Sequence, residues 1–167
     1  MKSPLSTDDR QTDAAWAARL ESIRRGVGLR LDASGGWWQQ DSPFEHPGLV
    51  AALNRGIALH PETREPIVYI GDKWCYFDSE DLPFIIHGYE YASDGLWADL
   101  NTGARELIPR DGLFQDGERV LVRLDEHRVA RMTRTAQSRM AEVLDEDNGR
   151  LCLRFGSDLY FIGDAPT

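Results

Sequence analysis

The sequence predicts an α+β protein made of two similar β-rich lobes, each with a short helix and a β-hairpin, as a domain duplication would produce. Three observations carry this expectation. Apolar residues recur at helical spacing in three short stretches. Runs rich in β-branched and aromatic residues, bounded by Gly, Pro, Asp and Ser, occupy most of the remainder. The order helix, polar connection, hairpin occurs twice. A chain of 167 residues suits one domain, or two small halves that share a core.

The elements follow in order. Residues 1–12 are polar and read as a frayed end. From about Thr12 to Arg25, Trp16, Leu20 and Ile23 fall at helical spacing and Gly26 stops the pattern, so an amphipathic helix is expected to lay its stripe over a sheet. Gly28–Asp32 and Gly36–Gln40 are short extended runs joined by turn chemistry at Asp32-Ala33-Ser34-Gly35. Trp37 and Trp38 must point to opposite faces, so one of them is exposed, used in recognition, or covered by another element, for which the N-terminal helix is a candidate. Pro47 suits a first helical turn flanked by His46, with Leu49, Val50, Leu53 and Ile57 as the buried stripe. Ile67–Ile70, a turn at Gly71-Asp72 and Trp74–Asp78 form a hairpin.

Ser79 to Pro83 breaks the pattern. Pro83 pushes Leu82 toward extended geometry, and the Asp81 carboxylate can accept backbone N–H bonds there. Phe84 anchors the next strand, Phe84–Tyr91, and Leu96–Leu100 pairs back with it. Asn101–Gly117 reads as loop. Val120–Leu124 is a strand with Arg123 as its polar interruption, and Thr133–Asp145 is a helix. Leu151–Phe155, a turn at Gly156-Ser157 and Leu159–Ile162 close the chain. The expected divisions are a tail and helix at 1–27, an N-terminal lobe at 28–100 and a C-terminal lobe at 101–167.

With Gly71 set on Gly156, an offset of 85 positions, Val68 meets Leu153, Ile70 meets Phe155, Trp74 meets Leu159 and Tyr76 meets Phe161. Two lobes related in this way leave a groove at their seam, which is expected to be polar enough to hold a guest.

Net charge is −9, a field that repels nucleic-acid backbones and anionic membranes, and neither is expected as a partner. The arginines from Arg123 to Arg139 are interleaved with acids and read as a mixed-charge face. No apolar run has the length of a membrane span, and the first twenty residues lack a signal-peptide core, so a cytoplasmic setting is expected. Cys75 and Cys152 then read as buried thiols.

No catalytic pattern stands out. Both cysteines have apolar neighbours, which disfavour the thiolate a nucleophile needs. His46, His60, His87 and His127 are scattered, with His87 on a strand face beside Ile85 and Tyr89, and no metal site or cofactor is expected. Asp145-Glu146-Asp147-Asn148-Gly149 lacks the spacing of a calcium loop and reads as a turn. No phosphate-binding glycine loop is present.

Several motifs resemble the bacterial domain of unknown function family DUF1285. Gly36-Trp37 followed by Pro43-Phe44-Glu45-His46-Pro47-Gly48-Leu49-Val50 is similar to its opening motif. Lys73-Trp74 with Glu80-Asp81-Leu82-Pro83-Phe84 is similar to its second signature, and Val120–Leu124 with Val129–Arg134 to its third. The likeness covers roughly residues 28–164. Leu100-Asn101 stands where the family has Thr-Asn, and Asp72 where it has glutamate before the Lys-Trp pair. The resemblance implies a duplicated core, a C-terminal lobe similar to pleckstrin-homology barrels, a nucleotide-like ligand between the halves, and a role in signal transduction.

Under that reading the expected ligand residues are Lys73, Trp74, Asp81, Phe84, Asn101, Arg123 and Arg131. Arginine forks would take phosphate oxygens and an aromatic would stack on a base, with Asp81 the alternative salt-bridge partner for the arginines. A non-enzymatic binding module is the preferred expectation. A protein-interaction domain is the first alternative. A hydrolase using carboxylates such as Asp72 and Asp81 is the second.

Overall fold

A computed structural model describes residues 7–165, with side chains from Asp13 onward. Of the end expected to fray, residues 1–12, the first six lie outside the described residues, and helix α1 already spans Thr7–Arg25. The chain continues through β1 (Leu29–Leu31), β2 (Trp37–Gln39), β3 (Ser42–Pro43), α2 (Pro47–Gly56), β4 (Ile57–Leu59), β5 (Pro66–Ile70) and β6 (Lys73–Ser79). These strands form one sheet in the order β3-β2-β1-β6-β5-β4, antiparallel except where β1 lies parallel to β6.

A second sheet takes β7 (Phe84–Ala92), β8 (Gly95–Leu100), β9 (Arg105–Leu107), β10 (Leu113–Asp116), β11 (Arg119–Arg123) and β12 (Val129–Met132). Helix α3 (Arg134–Ala141) leads into a three-stranded meander of β13 (Leu144–Asp147), β14 (Arg150–Phe155) and β15 (Asp158–Phe161), and β16 (Gly163–Asp164) returns to the second sheet. That sheet runs β16-β10-β11-β12-β7-β8-β9, with β7 parallel to β12 and β10 parallel to β16. The architecture is α+β as predicted, with three helices and a majority of strands among the described residues.

Local chemistry explains the starts and turns. His46 caps α2, its Nδ1 accepting from Leu49 N–H at 3.3 Å, and Pro47 occupies the first turn. Thr133 caps α3 by accepting from Ala136 N–H at 3.2 Å. Asn148 and Gly149 both take positive φ, 51° and 77°, in the two-residue turn between β13 and β14. Asp145–Gly149 is therefore a strand end and a hairpin turn.

The units α2-β4-β5-β6 and α3-β13-β14-β15 share order and pairing. Val68 faces Ile57 and Cys75, while Leu153, its counterpart at the 85-residue offset, faces Leu144 and Tyr160. Both hairpins turn on a glycine with positive φ, Gly71 at 64° and Gly156 at 59°.

Several expectations are corrected. The stretch Asn101–Gly117 contains β9 and β10, which are too short for their periodicity to stand out between glycines. The helix predicted to reach Asp145 ends at Ala141, because Leu144–Asp147 pairs with β14 instead. Trp16 and Ile23 are 59% and 57% exposed, so α1 does not lay that stripe on a sheet. Its C-terminal turn instead meets β6 through arginines, with Arg24 4.0 Å over the Trp74 ring and Arg25 3.9 Å over Tyr76. Trp38 is covered by Arg30 and donates to Asp32, not by α1. A bulge between Ile86 and Gly88 turns His87 outward, off the buried face.

The second sheet also crosses the boundary expected at residue 100, since β8 pairs with β9. One apolar cluster joins both sides of that boundary, from Leu31, Trp37, Leu53 and Phe77 to Ile86, Val122, Met132 and Leu153. The seam is therefore hydrocarbon at its centre, because β7 and β12 each bury one face in that cluster, and polar clefts lie at its margins. Among the described residues no helix is long and apolar enough to cross a membrane.

Candidate functional site

The margin with the most distinctive chemistry is built where β12 passes into α3. Register places Arg131 beside Leu121 on β11 and Ile85 on β7, so its side chain shares their face of the second sheet. Arg131 is only 8% exposed, a rare degree of burial for an arginine. Its Nε donates to the Leu82 carbonyl at 3.3 Å, and the Asp81 carboxylate stands 3.5 Å from Nε, beyond good hydrogen-bond length. Among the described residues its Nη2 is buried with no hydrogen-bond partner.

Around it lies a cleft of about 550 Å³, lined by Asp81, Arg119, Arg131, Met132, Arg134 and Gln137, and by Ser138 and Ala141 of α3. Three arginines against one carboxylate make a local cationic pocket in a chain of net charge −9. Arg119 bridges Asp81 at 2.7 Å and Asp116 at 3.0 Å. The hydrogen bond to Asp116 raises the Arg119 pKa above its ordinary value, burial opposes the rise, and the Asp81 charge adds to it. Arg134 opens α3, whose first turn holds no acidic residue. A cation at the positive end of a helix dipole is electrostatically unfavourable, and an anion there would relieve it. Gln137 ties α3 to the neighbouring hairpin by donating to the Glu118 carbonyl at 3.0 Å.

The connection from β6 to β7 forms the opposite lip. Pro83 and Asp81 sit as the sequence suggests: the Asp81 carboxylate accepts from Leu82 N–H at 2.8 Å, and Ser79 Oγ donates to the Asp81 carbonyl. Asp81 also lines a second cleft of about 320 Å³, with Arg25, Glu65, Tyr76, Asp78, Ser79 and Pro83 among its walls.

Of the seven expected ligand residues, Asp81 and Arg131 come together at this cleft. Asn101 braces the same connection from behind, its Oδ1 accepting from Ile85 N–H and its Nδ2 donating to the Pro83 carbonyl, both at 3.0 Å. Phe84 is 3% exposed and belongs to the core, which agrees with its anchoring role. Lys73 and Trp74 lie at the start of β6, against a small apolar pocket with Val27, Val68, Ile70 and Cys75. Arg123 stands two residues beyond Leu121 in the direction away from Arg119, its guanidinium 5.5 Å from the Phe114 ring centroid. No aromatic residue is among those lining the Arg131 cleft, so base stacking on Trp74 is not available there.

Arg119 and Arg134 are functional candidates that the sequence reading did not select. Strand alternation puts Arg119, Leu121 and Arg123 on one face, a signal that was available. Which end of that face borders α3 depends on the Leu121–Arg131 register. Asp72 and Asp81 flank opposite ends of the seven-residue strand β6, roughly 20 Å apart, so they form no carboxylate pair. Among the described residues no three His, Cys, Asp or Glu side chains gather as metal donors.

The fold and cleft define an α+β protein with a cationic margin site. No protein-family model matches the chain, and no curated protein matches it. Two solved structures carry its fold. One, a DUF1285 family protein from Silicibacter pomeroyi DSS-3, superposes with a TM-score of 0.60 at 17% identity, over 82% of this chain and 79% of that one. The other, a DUF1285 family protein from Shewanella baltica OS155, gives a TM-score of 0.55 at 15% identity, over 70% of this chain and 92% of that one. The resemblance in the sequence motifs is thus met by a resemblance in fold.

Proposed function

We propose that this protein is a DUF1285-type, non-enzymatic binding module that holds the anionic end of a small, nucleotide-like ligand in the Arg119–Arg131–Arg134 cleft. The observation that carries this reading is the buried, unpartnered Nη2 of Arg131. A guanidinium this buried and this poorly satisfied destabilises the fold unless an acceptor reaches it. Phosphate or carboxylate oxygens suit the planar fork, and the arginine at the start of α3 adds to the attraction. The cytoplasm is the setting, and signal transduction is the role that the resemblance suggests. The two helix–meander units are copies in this reading, supported by their shared pairing at the 85-residue offset, with the pleckstrin-homology likeness belonging to the C-terminal copy.

Calorimetric titration with nucleoside mono-, di- and triphosphates and with inorganic phosphate tests the reading. Binding of phosphate-bearing ligands is expected, together with its loss in Arg131→Met. Absence of heat at millimolar concentration for the whole panel refutes it, as does an Arg131→Met protein that binds like wild type.

A second reading, a protein-interaction domain, draws on the exposed Trp16 and Ile23 of α1. It requires a stoichiometric partner that is lost when both become serine.

A further inference from the structure

We propose that Asp81 is a displaceable internal counter-ion, which restricts the Arg131 cleft to oxyanions carrying two charges, such as a terminal phosphate or a sulfate. This inference rests on the anion-binding reading above and specifies the ligand class.

The geometry around Asp81 is that of a stand-in ligand. Its carboxylate lies 3.5 Å from Arg131 Nε and 2.7 Å from Arg119 Nη1, in the position an entering oxyanion would take. The hold is divided. Arg119 has a second carboxylate partner in Asp116 at 3.0 Å, so it is not left unpaired when Asp81 departs. The Asp81 side chain is 25% exposed against 10% for Arg131, so the acid can return to water while the guanidinium cannot. Asp81 also borders the neighbouring cleft, but Glu65 and Asp78 line it and Arg25 is already paired with Glu65, so the released carboxylate turns to solvent.

The selectivity follows from competition. A carboxylate tethered to the same loop acts at an effective concentration on the order of millimolar or above. A free monocarboxylate offers the arginines nothing that Asp81 does not already offer, so it competes poorly. A dianion roughly doubles the Coulomb attraction at the same distance and overcomes that competition. Leu82 relays the exchange, because its N–H donates to the Asp81 carboxylate while its carbonyl accepts from Arg131. Ligand entry therefore also moves a wall of the second cleft.

The test uses the full chain, sodium sulfate, sodium phosphate and sodium acetate, at constant ionic strength and pH 7.5, by calorimetry on wild type, Asp81→Asn and Asp81→Ser. Wild type is expected to bind sulfate and to show no measurable acetate binding. Both variants are expected to bind sulfate about tenfold more tightly and to gain measurable acetate binding. The second variant separates loss of the charge from any hydrogen bond that the new amide makes. The proposal is overturned if sulfate affinity in both variants equals or falls below that of wild type, or if wild type binds acetate as well as sulfate. No binding of sulfate, phosphate or acetate by any of the three proteins overturns the anion-binding reading itself.

Discussion

Replacing Arg131 with methionine is expected to stabilise the protein while removing its anion site. The guanidinium is 8% exposed, and its Nη2 has no partner among the described residues. An unsatisfied buried donor of this kind costs roughly 1–3 kcal/mol, at the upper end when charged. The substitution forfeits one long hydrogen bond, Nε to the Leu82 carbonyl at 3.3 Å. A bond of that kind is worth about 0.5–1.5 kcal/mol. Removing one partner of a buried ion pair is usually damaging because the other charge is stranded. Here Asp81 keeps Arg119 at 2.7 Å and remains partly exposed, so that penalty does not arise. Methionine keeps the apolar stem against Leu121 and Ile85. The balance is a gain of about 1 kcal/mol, which raises Tm by about 2–4 °C in a domain of this size. Differential scanning calorimetry with no added phosphate or sulfate measures it. A Tm lowered by 2 °C or more refutes the reasoning, because it would mean that Arg131 already has its acceptors and contributes to the fold. A residue whose removal adds stability and abolishes binding is a functional one.

Two further perturbations follow from the same structure. Asp32 collects Ser34 N–H at 2.9 Å, Ser34 Oγ at 2.6 Å, Gly36 N–H at 2.8 Å and Trp38 Nε1 at 2.7 Å, so Asp32→Ala is expected to cost about 1–3 kcal/mol in urea unfolding at pH 7. Burial pushes the Asp32 carboxyl up, but the bonds from Ser34, Trp38 and Gly36 outweigh it and hold the pKa at about 2, below the ordinary 3.8. A depressed folded-state pKa means that this stabilisation is complete above about pH 4 and fades as pH falls toward 2. The gap between wild type and Asp32→Ala therefore narrows across that window, and a gap of equal size at pH 2 and pH 7 contradicts the assignment. Tyr160→Phe removes the acceptor of Leu96 N–H, bonded at 2.9 Å in the interior. A loss of about 1–3 kcal/mol with an unchanged urea m-value is expected, and a loss under 0.5 kcal/mol shows that the amide finds another partner.

Much of the fold was legible. The caps at His46 and Thr133 and the hairpin turns at Gly71 and Gly156 act within a few residues of themselves, and local sequence suffices to place them. The failures have particular causes. Thr133–Asp145 reads as one helix until Leu144 finds Leu153 across a hairpin, where pairing outweighs propensity. The α1 stripe of Trp16 and Ile23 looks like a core face, yet the helix docks through arginines on aromatic rings, for which periodicity has no signature. In the site, Arg131 is legible as an arginine at the approach to a helix start, and Asp81 as a salt-bridge partner for it. Both stand at the cleft, and Arg119 and Arg134 complete it.

By itself the sequence determined the α+β class, the starts of α2 and α3, the tight turns and the acidic charge, because each depends on residue type or on neighbours along the chain. Only the tertiary structure decided that two sheets share one apolar cluster, that β7 lies parallel to β12, and that four charged groups from three separate segments line one cleft. Burial decides whether a guanidinium is an ordinary surface charge or a donor in need of an acceptor, and burial is a property of what packs over a residue, not of the residues beside it in the chain.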